Sequence, residues 1–287
     1  MIDLALSVLF SSLIFVIFKL FSVYKVQTLY AIITNYVVAC ITGFILYNGP
    51  VSINQIPNKG WFWGALAMGF LFIIVFNIMA KTSQKLGVSV ASVATKMSLV
   101  IPVVIGMMLY NEKLSALKII GIILALTAVY FASVKKKSAT FNKKNLLLPL
   151  LVFIGSGAID VSLKYMQEIQ LSSGELPLFS ATIFGSSAII GIIFIAVKSR
   201  KTPFKINLKN VIGGILLGVP NYFSIFFLLR ALQNNSMNSS QIFTINNVAI
   251  VLFSTLLGIL LFKEHMSVKN WGGIALAVIS ILLVALF

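Results

Sequence analysis

The sequence predicts an all-α integral membrane protein. About ten transmembrane helices form two inverted five-helix repeats around a central cavity. Three observations predict it. Of 287 residues, 59% are hydrophobic and 10% charged, with a mean hydropathy of +1.04. A water-soluble domain could not cover that much apolar side chain with polar surface. The apolar residues fall into runs of the roughly 20 residues that a helix needs to cross a bilayer. Finally, the two halves of the chain resemble each other.

The spans fall near 3–21, 28–47, 60–80, 87–110, 115–134, 146–167, 177–197, 210–232, 237–262 and 268–287. Span 1 lacks a basic leader and a small-residue cleavage site, so it reads as a retained helix rather than a cleaved signal. Span 2 holds Cys40, the only cysteine, which leaves no disulfide or thiolate metal framework. Span 3 opens with "GWFWG", where Trp61 and Trp63 read as interfacial anchors and Gly60 and Gly64 as a close-packing pair. Span 4 carries Lys96 and Pro102. Span 5 follows a hairpin containing Glu112 and Ser115. A basic linker, 135–145, divides the chain into repeats 1–134 and 146–287. Span 6 carries Asp160 and Lys164, and span 8 contains "GVPN" and the pair Gly214 and Gly218. Span 9 carries Ser240, Gln241, Thr244, Asn246 and Asn247. Span 10 follows Glu264 and Ser267 and opens near Trp271.

The repeat rests on polar matches, because Leu and Ile coincide by chance. "SSLIFVIFKL" (Ser11–Leu20) lies over "SGAIDVSLKY" (Ser156–Tyr165), matching Ser11 with Ser156 and Lys19 with Lys164. "LYNEKLSALKIIGIILA" lies over "LFKEHMSVKNWGGIALA", matching Glu112, Ser115 and Gly121 with Glu264, Ser267 and Gly273. An odd number of helices per repeat makes the second half enter the membrane upside down. That is the architecture of many secondary transporters, which hold substrate near the midplane.

The net charge of +16 comes from 22 Lys and Arg against six acids. The lysines sit between apolar runs rather than on one face, so they read as topology and headgroup anchors, not as a nucleic-acid surface. They crowd the connections after spans 1, 3, 5 and 7. The positive-inside rule places those loops in the cytoplasm and both termini outside. The one histidine, His265, lies at a segment end, so no catalytic metal or His-based triad is expected. No P-loop is present, so ATP is not expected to drive the protein directly.

Two five-helix repeats, a lysine closing spans 1 and 6, and a recurrent Glu-x-Leu/Met-Ser hairpin before spans 5 and 10 resemble the drug/metabolite transporter superfamily. "SVASVATKMSLVIPVVIGMMLYNEKLSALKIIGIILA" resembles spans 4 and 5 of its ten-helix EamA-type branch, with Pro102 at the usual place. The resemblance implies a basket of helices, alternating access and transport of a small metabolite. It also implies cytoplasmic termini, opposite to the charge count, and both orientations stay open. The small four-helix multidrug branch has a buried glutamate in its first span. Span 1 here has none, and Asp160 occupies the repeat-equivalent span instead.

A lysine at the centre of a bilayer helix costs about 2.5–3.5 kcal/mol, and such residues usually have a role. Lys96 shares a helix face with Ser89 and Ser92. It reads as an anion site in a wet cavity, as half of a structural ion pair, or as a side chain snorkelling to the interface, which its depth makes hard. Asp160 is the only acid deep in a span. It reads as an intrahelical partner of Lys164, as a counter-charge to Lys96, or as a proton carrier. Asn77, Asn221, Thr244 and Asn247, with Ser240, are candidates either for solute contact or for helix–helix glue. Gln241 and Asn246 diverge from that face. Pro102 and Pro220 are hinge candidates. Glu112 and Glu264 read as structural, as do Lys19 and Lys164.

The expectation is an inner-membrane, multi-pass secondary transporter and not an enzyme, with no cofactor and no metal. Its partners would be the lipid bilayer and a small-molecule substrate, best an exported amino acid or related carboxylate. Lys96, Asp160, Ser92, Asn77, Asn221, Thr244 and Asn247 would bind it, with protons as the candidate coupling ion at Asp160. A nucleotide-sugar or phosphate-ester exchanger is the alternative. A lipid-modifying enzyme is a more distant one, since it would need paired acids or a metal site.

Overall fold

The computed structural model describes residues 1–47, 49, 51–110, 116–133, 144–171, 174–199, 207–232 and 239–286. Among these the chain is helical, without a strand. In order come α1 (Ile2–Val23), α2 (Thr28–Leu46), a 3₁₀ turn (Ile53–Asn58), α3 (Phe62–Leu86), α4 (Val88–Met97) and α5 (Val100–Tyr110). Then follow α6 (Ala116–Ser133), α7 (Lys144–Ile169), α8 (Leu176–Ser199), α9 (Leu208–Leu232), α10 (Ser239–Phe262) and α11 (Val268–Leu286). The expected spans are present, with span 4 divided between α4 and α5. Among the described residues, eight spans are long and apolar enough to cross a membrane. Spans 5 and 10 add the shorter apolar stretches Ile119–Ser133 and Val268–Val284. The hairpin around Glu112 and the linker residues 135–143 lie outside the described residues, as do the side chains of Ser240 and Gln241.

The packing has the symmetry that an inverted repeat requires. Helix α2 packs on α9 as its repeat mate α8 packs on α3. Likewise α1 meets α9 as α7 meets α3, and α1 meets α10 as α7 meets α4. The pairs α2–α8, α4–α10 and α6–α11 join repeat mates across the pseudo-axis.

Lipid tails are as apolar as leucine, so close packing and hydrogen bonds must hold such a bundle together. Tyr36 Oη donates to the Phe72 carbonyl at 2.9 Å, and Ser83 Oγ to the Phe15 carbonyl at 2.8 Å. Ser187 Oγ donates to the Gly69 carbonyl at 3.0 Å. Asn270 Nδ2 donates to the carbonyls of Phe131 and Ala132 at 3.1 and 2.9 Å, fixing α11 on α6. Gly218 lets α9 reach α2, since a Cβ there would lie 2.9 Å from the Asn35 carbonyl. Lys19 Nζ donates to the Gln84 carbonyl at 3.0 Å, a structural contact with the C-terminal end of α3.

One expectation needs correction. Trp63 and Trp271 point outward as anchors should, but Trp61 is fully buried. Its indole N–H donates to Glu175 Oε2 at 2.9 Å, and Lys59 Nζ lies 2.7 Å from Glu175 Oε1. A buried carboxylate needs such donors. The tryptophan is therefore drawn inward as one of them, tying the first repeat to the second.

Candidate functional site

The site starts from a proline. Pro102 has no N–H to donate to the Ser98 carbonyl, and its ring crowds that carbonyl. Ile101 N–H takes the Ser98 carbonyl instead, at 2.9 Å, while Leu99 N–H reaches the Lys96 carbonyl only at 3.5 Å. The ladder therefore breaks at Ser98 and Leu99, between α4 and α5. Two helix ends now meet inside the bundle: the negative end of α4 and the positive end of α5. Lys96 lies in the last turn of α4, where the dipole favours a cation.

Helix α7 supplies the opposing wall. Gly157 admits Ile101 of α5, whose side chain occupies the place a Cβ would take. Three residues further on, Asp160 accepts a hydrogen bond from Ser98 Oγ at 3.0 Å, beside the start of α5. The acid thus sits at the positive helix end and the lysine at the negative one. Lys96 and Asp160 interact electrostatically without hydrogen-bonding each other. Asp160's charge partner is Lys96, not Lys164 one turn along its own helix. Ser156 Oγ, one turn before Asp160, is buried without a hydrogen-bond partner.

The Ser98 hydroxyl has one proton and two acceptors in reach, the Asp160 carboxylate and the Thr95 carbonyl. With Asp160 ionised, Ser98 donates to it. With Asp160 protonated, the carboxylic acid donates to Ser98 Oγ and Ser98 donates to Thr95. The same geometry serves both protonation states.

The other candidates divide. Ser92 is fully buried on the Lys96 face, its Oγ donating to the Ser89 carbonyl at 3.0 Å. Asn77 Nδ2 donates to the Ile73 carbonyl of its own helix at 2.7 Å. Asn221 Nδ2 donates to Asn35 Oδ1 at 3.1 Å, a bridge between α9 and α2. Thr244 and Asn247 are buried on α10. Among the described residues Asn247 makes no hydrogen bond, whereas Asn246 accepts one from Ser7 Oγ at 3.1 Å. Pro220 lies inside an uninterrupted α9 and so does not divide its span as Pro102 does. Among the described residues there is no cluster of three metal-ligating side chains.

Sequence reasoning passed over Ser98 and Asn35. Ser98 was findable, because the residue four before a mid-span proline loses its ladder partner. Asn35 carried no such mark, since its role depends on a neighbour far along the chain.

Comparison with known proteins agrees with this architecture. A family model described as the EamA-like transporter family matches residues 1–134 and 143–286. An uncharacterised protein of Haemophilus influenzae is 32% identical over 211 residues, covering 73% of this chain and 70% of that protein. A protein of known crystal structure superposes with a TM-score of 0.61 at 14% identity, over 99% of this chain and 96% of the other. That last likeness is one of fold.

Proposed function

Because the chain belongs to the EamA-like transporter family, we propose that it moves a small zwitterionic or carboxylate solute, best an amino acid, across the cell membrane by alternating access, in the export direction. The observation that carries this reading is the pair of opposite charges at the break in span 4 that interact without forming a direct salt bridge. Lys96 has no hydrogen bond among the described residues, and Asp160 takes its hydrogen bond from Ser98 while Lys96 acts on it through charge alone. A purely structural pair would close into a salt bridge, because each ion's desolvation is offset only by good geometry. Two charges held apart suit a solute that carries both signs. Its carboxylate would meet Lys96, and its ammonium would meet Asp160. Buried Ser156 and Asn247 offer unused polar atoms for orienting it.

Proton coupling fits the same residue. Asp160 has a hydrogen-bonding partner in either protonation state. Arrival of an ammonium group would displace its proton, which links solute and proton in opposite directions.

The test is ligand-induced thermal stabilisation of the purified protein. A solute that binds only the folded state at a hundred times its Kd adds about 2.7 kcal/mol. Amino acids are expected to raise the melting temperature, and nucleotide sugars and phosphate esters to leave it unchanged. Stabilisation by phosphate esters alone would replace this substrate assignment with the exchanger reading.

A further inference from the structure

Helix α4 is held at its outer end by a residue from the other repeat. Glu264 lies between α10 and α11, in the second repeat. Its Oε1 accepts from the Val88 N–H at 2.7 Å, and its Oε2 from Ser89 Oγ at 3.2 Å. The carboxylate therefore caps the N-terminus of α4, where unpaired N–H groups and the helix dipole attract an anion. The local chain is shaped for it. Gly87 joins α3 to α4 at a φ of 120°, a conformation that side chains resist. A Cβ there would stand 2.9 Å from both carboxylate oxygens.

Below this cap runs a polar stripe on one face of α4. Ser89 and Ser92 are buried, and the stripe ends at Lys96 beside the helix break. The stripe thus links one membrane face to the charged site, and Glu264 closes its outer end.

The packing of the whole molecule carries an independent mark of closure. Helices α1, α3 and α4 pack on one another. Their repeat mates, α7, α9 and α10, scarcely do, although the main contacts of both trios with the opposite repeat, those of α1 and α7 with α9 and α3 and with α10 and α4, follow the same pseudo-symmetry. The bonds that draw the first trio together lie near the Glu264 face: Lys19 to Gln84, and Ser83 to Phe15.

We propose that Glu264 is a latch. It holds α4 against the second repeat to close this face, and its release lets α4 swing about the Ser98–Leu99 break and opens a path along Ser89 and Ser92 to Lys96. Glu264 is a positioning residue, since it acts on the solute only through α4. The use of the path rests on the transporter reading, whereas the latch itself is testable without any solute.

The test measures how fast a water-soluble maleimide labels a reporter cysteine, in a Cys40→Ala background. One reporter is Ser92→Cys on the stripe. The control is Ser187→Cys, equally buried but between α8 and α3. Adding Glu264→Ala is expected to speed labelling at position 92 at least fivefold and to leave position 187 unchanged. Glu264→Gln keeps an oxygen acceptor for the Val88 N–H and should fall between. Unchanged labelling at position 92 in Glu264→Ala would overturn the latch. An equal rise at both reporters would also overturn it, because the glutamate would then hold the fold rather than one face. Neither outcome touches the solute assignment, which the stabilisation screen decides separately.

Discussion

Lys96 and Glu175 show two fates for an ionised side chain in this molecule. Glu175 is buried with a lysine and an indole N–H on its two oxygens, so its charge is answered in full. Glu175→Ala should destabilise the protein by about 1–3 kcal/mol, because it removes charge-assisted bonds and strands a buried donor. Arg230→Ala should cost under about 1 kcal/mol, since its contact with Asp3 is exposed and 3.6 Å long. Melting temperatures of the two variants in detergent check the contrast. Equal losses would mean that burial is not what separates these pairs. Lys96 has no such bonded partner, since Asp160 acts on it through charge alone, and the proposed solute site rests on that difference. The sequence singled out Lys96 and Asp160 because charges in apolar runs are conspicuous. It could not separate Asn77 and Asn221 from solute contacts, because an amide's partner is a matter of which helix lies opposite. Trp61 was misread for the same reason: its acid lies 114 residues away.

At the scale of the element, the broken span 4 brings the charges together. The spans themselves were legible, because bilayer thickness sets their length and leaves little freedom. Pro102 likewise marked a disturbance in the ladder, though not that the helix would divide in two while α9 continues through Pro220. Pro102 lies in the first turns of α5, so its lost bond falls on an end that neighbouring bonds can abandon. Pro102→Ala would restore the donor to Ser98 and let α4 and α5 fuse. That variant should be as stable as the parent or more so, and its transport rate should fall at least fivefold as α4 loses its pivot. Uptake rate and melting temperature, measured together, check this. A fused helix that transports at the parental rate would remove the break from the mechanism.

At the scale of the whole molecule, the proposed alternating access would use two arrangements that the inverted repeat relates. Each is the other with the roles of the repeats exchanged. The main contacts between repeats keep this symmetry, and the packing within them departs from it. The matched Lys, Glu and Ser residues made the repeat legible in the sequence. The departure was not, because it is a property of one conformation and not of the residue types. The proposed recognition site is asymmetric in a different sense. Lys96 aligns with Val248 and Asp160 with Phe15, so under the proposed function motion would draw on the symmetry and binding on its exceptions. The most direct test of that claim is uptake of a neutral amino acid into liposomes by the parent, Lys96→Ala and Asp160→Asn, with and without a pH gradient. The account predicts that Lys96→Ala loses at least 90% of uptake, and that Asp160→Asn no longer responds to the gradient. Both variants transporting like the parent would contradict it.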